Sequence, residues 1–129
     1  MKKLIIPIIL LIIIMTGCSI DLTDGMPDLM MKEYNSSNEK KDKDSDEYTF
    51  KIDGTLINEG YKGQCRIELT IQNTTYVHGP ILAPIGDVHF SWEYTSYIPI
   101  SNYQIKVYGI SKKNGHEELQ IDMVGVVED

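Results

Sequence analysis

Asp87, His89 and Ser91 are the residue types of a nucleophilic relay, in which a carboxylate orients an imidazole that deprotonates a hydroxyl. Their spacing argues against that chemistry. Side chains at i and i+2 of an extended strand stand parallel and about 6.5 to 7 Å apart, so they do not converge. His89 with Asp87 or Glu93 would offer a metal two ligands from one strand, and a site needs more from neighbouring strands. A solvated polar face is the simpler reading. His78 and His116 stand in a loop and a hairpin turn with no companion at ligand spacing. Cys65 alternates with Ile67 and Leu69 and reads as a small core residue rather than a reactive thiol. The chain has no glycine-rich phosphate loop, no Cys-x-x-Cys and no His-Glu-x-x-His. No catalytic residue, metal ligand or cofactor is assigned, and the protein is not expected to be an enzyme.

The other cysteine has a different setting. Lys2 and Lys3 precede an apolar run, Leu4 to Met15, followed by Thr16, Gly17 and Cys18. As a helix the run would rise only about 18 Å, short of a hydrocarbon core of roughly 30 Å, so it reads as a signal-peptide core rather than a permanent span. The stretch Met15-Thr16-Gly17-Cys18 resembles the lipobox of bacterial prolipoproteins, although Met15 replaces the usual Leu, Val or Ile. The resemblance implies that Cys18 is acylated and that residues 1–17 are removed. Two or more acyl chains hold a protein to a membrane firmly, whereas one does so marginally. Localisation at the cell membrane, on the extracytoplasmic face, follows, and the Ile- and Lys-rich composition points to a Gram-positive host.

The elements behind the anchor divide into two regions, giving signal peptide 1–17, lipidated cysteine and tether 18–47, and a β domain 48–129. Residues 19–47 are almost devoid of apolar groups after Tyr34 and are expected to form a disordered tether, about 30 Å end to end, that lifts the domain off the bilayer. A short apolar turn at Leu29, Met30, Met31 and Tyr34, touching lipid or a partner, is the competing reading. The whole chain has 12 basic and 19 acidic residues, a formal charge of −7. Loss of Lys2 and Lys3 makes it more negative by two, which disfavours nucleic acid or anionic lipid as partners. With Cys18 acylated, Cys65 has no thiol partner, and the domain depends on its core.

From Tyr48 onward the pattern alternates with a period of two. Cys65, Ile67, Leu69 and Ile71 share one face. Val88, Phe90, Trp92 and Tyr94 share another, and Phe50 and Ile52 open an earlier strand. Five strands are expected, near 48–58, 64–74, 86–95, 103–112 and 116–127. Asn114-Gly115 marks the last hairpin. A three-residue loop, Lys113-Asn114-Gly115 with Gly115 left-handed, opposes Ile105 to Met123, Lys106 to Asp122 and Val107 to Ile121, so that every face matches and Lys106 and Asp122 form an ion pair. The fold class is all-β: a small antiparallel β-sandwich or an open β-barrel meander. Trp92, read as lying on a middle strand, and Tyr103, two residues before inward-facing Ile105, resemble features of the immunoglobulin fold, which implies a sandwich.

Tyr76 to Gly86 is the most apolar segment of this region yet contains Pro80 and Pro84, and so is expected to be a loop or a broken edge. Its side chains either plug the core or form a contact patch. Ile81, Leu82, Ile85 and Tyr76, with Tyr97 from the next connection, are the candidate ligand- or partner-binding residues. The expected function is that of a membrane-anchored envelope lipoprotein with a non-catalytic binding or interaction module, its partner an envelope protein or small ligand. The alternatives are a small-ligand carrier with a lipocalin-like barrel and, less favoured, a hydrolase.

Overall fold

The computed structural model describes residues 25–127. The signal peptide and Cys18 lie outside the described residues. Seven strands are described: β1 (Leu29–Lys40), β2 (Tyr48–Asn58), β3 (Gly63–Ile71), β4 (Thr74–Ala83), β5 (Gly86–Ser96), β6 (Asn102–Ile110) and β7 (Glu117–Val126). They form two antiparallel sheets, one of three strands in the order β1-β2-β5 and one of four in the order β4-β3-β6-β7. The sheets face each other as a small β-sandwich rather than closing as a barrel.

Period-two alternation builds the core. Phe50, Ile52 and Leu56 of β2 meet Cys65, Ile67 and Leu69 of β3 and Ile105 and Val107 of β6, all nearly inaccessible. Residues between them on β3, Gln64, Arg66, Glu68 and Thr70, turn to the other face. Arg66 there donates to Glu117 Oε1, at 2.7 Å from Nη2, and to Glu68, and its guanidinium lies 4.1 Å above the Tyr108 ring.

From residue 25 onward the structure corrects the expected tether. Leu29–Lys40 is the outer strand of the three-stranded sheet, paired with β2 from Leu29↔Asn58 to Lys40↔Tyr48, and residues 41–47 are the hairpin loop between them. In that loop Lys41 N donates to Glu47 O at 2.9 Å. The inward positions of β1 past Met31 carry Ser36 and Asn38, which cross-link instead of filling space. Tyr103 Oη donates to Ser36 Oγ at 2.9 Å, and the Asn38 amide exchanges two hydrogen bonds with the backbone of Ile100.

The remaining strands lie close to their expected positions, with β4 added. Gln72 and Asn73 both have positive φ, as a two-residue primed turn requires, and join β3 directly to β4. At the last hairpin the pairs Ile105↔Met123, Lys106↔Asp122 and Val107↔Ile121 stand as expected, and Gly115 has φ 72. The turn itself is one residue longer than expected: Ser111 N donates to His116 O and Gly115 N to Ser111 O. A bulge that leaves Gln120 unpaired absorbs the difference. Asp122 accepts from Gln104 Nε2 at 2.8 Å instead of pairing with Lys106.

Three connections meet at one end of the sandwich, around Asn58, which is 1% exposed. Its Oδ1 accepts from Asp28 N and Gly60 N, each at 3.0 Å. Its Nδ2 donates to Tyr61 O at 2.9 Å and Ala83 O at 3.0 Å. Every hydrogen-bonding position of the amide is used. Replacing Asn58 with leucine, which has the same branched arrangement of heavy atoms but no polar group, orphans these backbone groups and is expected to cost about 3 kcal/mol or more, read as a lowered midpoint in chemical denaturation.

Candidate functional site

The polar trio of β5 stays apart. Asp87 pairs with Lys32 Nζ at 3.2 Å, His89 Nδ1 hydrogen-bonds Thr55 Oγ1 at 2.9 Å, and Ser91 is exposed. Among the described residues no three His, Cys, Asp or Glu side chains gather as metal ligands. Cys65 is fully buried, and desolvation pushes its thiol up to about 11, where thiolate chemistry is suppressed.

The five candidate contact residues do not form one surface. Tyr76 to Ala83 lie in one continuous edge strand, β4, rather than in a loop, with a bulge in its pairing opposite Arg66, where the Gly79-Pro80 bond is cis. Ile81 turns inward and packs partly on the core. Leu82 is 76% exposed and Ile85 68% exposed, at the Asn58 end of the sandwich. Tyr97 is 71% exposed but follows Ser96 at the opposite end, a strand length of roughly 33 Å away. Tyr76 belongs to neither end. It joins an aromatic seam on the open side of the sandwich where the edge strands β4 and β5 face each other.

That seam is the most chemically distinctive feature of the domain. The His78 ring stacks on Trp92 at 3.8 Å between centroids and 9° between planes, and Trp92 in turn lies 5.1 Å from Phe90. Tyr76 lies 4.5 Å from Tyr94, whose hydroxyl hydrogen-bonds His78 Nε2. Tyr94 leads inward through Phe50 to Tyr103. Trp92, expected on a middle strand and inside the core, is on an edge strand and half-buried, because only β4 covers it. Burial pushes the Tyr94 phenol up to about 12, helped by Tyr76, and lowers the His78 pKa, so both are neutral near pH 7.

A second surface closes the Asn58 end. Two grooves lie side by side there. One of about 590 Å³ is lined by Leu82, Ala83, Pro84 and Ile110 with Lys62 and Lys112. The other, of about 660 Å³, is lined by Tyr61, Ile85, Gly25, Lys62, Lys112 and Lys113. Sequence reasoning left His78 without a companion and did not single out these lysines. The adjacent Lys112-Lys113 in an acidic chain was the available signal for the lysines.

No protein-family profile matches the chain, and no curated protein does. Among solved structures it is similar to structural-genomics target SoR45, with 14% identity over 78% of this chain and 87% of that one and a TM-score of 0.51. It is also similar to a Bordetella pertussis protein provisionally designated ApaA, with 14% identity over 78% of this chain and 94% of that one and a TM-score of 0.50. These likenesses show the fold, a small antiparallel β-sandwich.

Two outcomes follow from the seam. Trp92→Ala is expected to cost about 2 kcal/mol, below the roughly 3 to 5 of a fully buried tryptophan, in urea denaturation. The His78 pKa is lower in the folded than in the unfolded chain, where it is near 6.5, so the unfolded chain binds the extra proton first on acidification. Stability is therefore lost as the pH falls below about 6.5, and His78→Phe, which keeps a ring on Trp92, is expected to flatten that part of the pH dependence.

Proposed function

We propose that this protein is an envelope lipoprotein, held on the extracytoplasmic face of the cell membrane by lipid on Cys18, whose β-sandwich is a non-catalytic binding module. The seam of Tyr76, His78, Trp92 and Tyr94 carries the binding half of this reading. Half-exposed tyrosine and tryptophan, already ordered by stacking, give contact area at little entropic cost, and such residues dominate binding energy at protein interfaces. Val77, 56% exposed on the outer face of the same edge strand, extends the surface. The partner that fits is an envelope protein presenting apolar or aromatic side chains. The lipobox-like Met15-Thr16-Gly17-Cys18 carries the anchoring half. A barrel-type carrier is less suited to this chain, because the two sheets remain open at their edges and the space between them is filled by Phe50, Ile52, Leu56, Ile67 and Leu69.

Fatty-acid labelling of cells is expected to mark the wild-type protein and not Cys18→Ala, and equal label in both rules out the anchor. A photo-crosslinking residue at Val77 is expected to give a discrete adduct in intact cells, whereas one at Lys43, in the β1–β2 loop, is not. Tyr76→Ala is expected to weaken that adduct while the melting temperature changes little, since Tyr76 lies at the rim. An adduct insensitive to Tyr76→Ala retires the seam as the recognition surface.

A further inference from the structure

We propose that strand β5 pairs antiparallel with β5 of a second copy of this chain, about a two-fold axis at Ser91, joining the two three-stranded sheets into one. This names the partner for the flank that carries the aromatic seam, and it rests on the reading of that flank as a contact surface. The sandwich has edge strands β1 and β5 in one sheet and β4 and β7 in the other. All but β5 are interrupted: β1 has a bulge at Lys32, β4 one at Gly79-Pro80 and β7 one at Gln120. Bulges and prolines are devices that keep sheet edges from pairing. β5 has neither. It pairs with β2 in unbroken register from Gly86↔Asn58 to Ser96↔Tyr48, and its other side, with alternate N–H and C=O groups, pairs with no described strand. β4 meets it through side chains, His78 on Trp92 and Tyr76 on Tyr94, and not through a ladder.

A second copy is the occupant because the β5 sequence complements itself. An axis normal to the sheet at Ser91 sets each His89 opposite Glu93 of the other copy, with Asp87 opposite Thr95 on the same outer face. On the inner face it sets Phe90 opposite Trp92 and Val88 opposite Tyr94, so the half-buried rings of the seam gain apolar neighbours. Moving the axis to Phe90 opposes Asp87 to Glu93, and moving it to Trp92 takes His89 away from Glu93. An axis between two residues mixes the faces. The His89 ring is held at Nδ1 by Thr55 and presents Nε2 to the carboxylate. The β5 carboxylates are balanced within each copy, since Asp87 pairs with Lys32 at 3.2 Å and Glu93 stands opposite Lys51 of β2. The copies run antiparallel, so their Gly25 ends lie a strand length of roughly 33 Å apart. Both lipids reach one membrane when the strands lie along it, because residues 18–25 span about 25 Å when extended.

The test treats the full-length chain in intact cells with a short bis-methanethiosulfonate linker. Ser91→Cys is expected to give a covalent dimer, and the wild-type chain is not. Asp87→Cys and Thr95→Cys are each expected to stay monomeric alone and to link when co-expressed. Ser91→Glu, at an exposed position, sets like charges face to face across the axis. It is expected to weaken self-association in detergent about tenfold or more at an unchanged melting temperature, and mixing with Ser91→Lys to restore it. An unlinked Ser91→Cys, equal linkage at all three positions, or association indifferent to Ser91→Glu overturns the pairing. A Val77 adduct with a different protein, beside an unlinked Ser91→Cys, overturns the pairing and leaves the seam a recognition surface. A linked Ser91→Cys, beside a Val77 adduct insensitive to Tyr76→Ala, retires the seam and supports the strand pairing.

Discussion

One side chain organises the end of the molecule where the chain joins the domain. The Asn58 amide is buried, and it stays in the core only because two donors and two acceptors close on it from three connections. Without those partners a buried amide is costly, and without the amide the backbone of Asp28, Gly60, Tyr61 and Ala83 would need other partners where water is excluded. The same four bonds place the segment before β1, the β2–β3 loop and the β4–β5 corner relative to one another. The positions of Tyr61, Ile85 and Lys62 are consequences of that junction. Gln120 reinforces it from the second sheet, because the bulge that leaves it unpaired in β7 frees its amide to receive Leu29 N at 2.9 Å and donate to Pro27 O.

Sequence reasoning succeeded where apolar groups define the faces. β3, β6 and β7 carry them at alternate positions, so register followed from the requirement that no face be mixed, and three consecutive pairs of the last hairpin stand as the pattern demands. It failed for β1 because that strand is held by hydrogen bonds. Ser36 and Asn38 occupy inward positions with polar side chains that bond Tyr103 and Ile100, and composition alone makes such a segment look unable to fold. The error has a physical origin: a strand that binds through its backbone and through specific polar partners leaves no hydrophobic period to detect.

The candidate site was partly legible for a related reason. Proline and glycine between Tyr76 and Gly86 correctly excluded a regular central strand, and Thr74–Ala83 is an edge strand with a bulge in its pairing. Its division into inward Ile81 and outward Leu82 depends on which strand it pairs with, and that is a tertiary fact. Pairing with β3 sets Tyr76 and His78 over the far edge of the other sheet, so a histidine that looked solitary stacks on a tryptophan 14 positions away in the chain. Tyr97 is separated from Leu82 by the length of a strand, because β5 carries the chain from one end of the sandwich to the other.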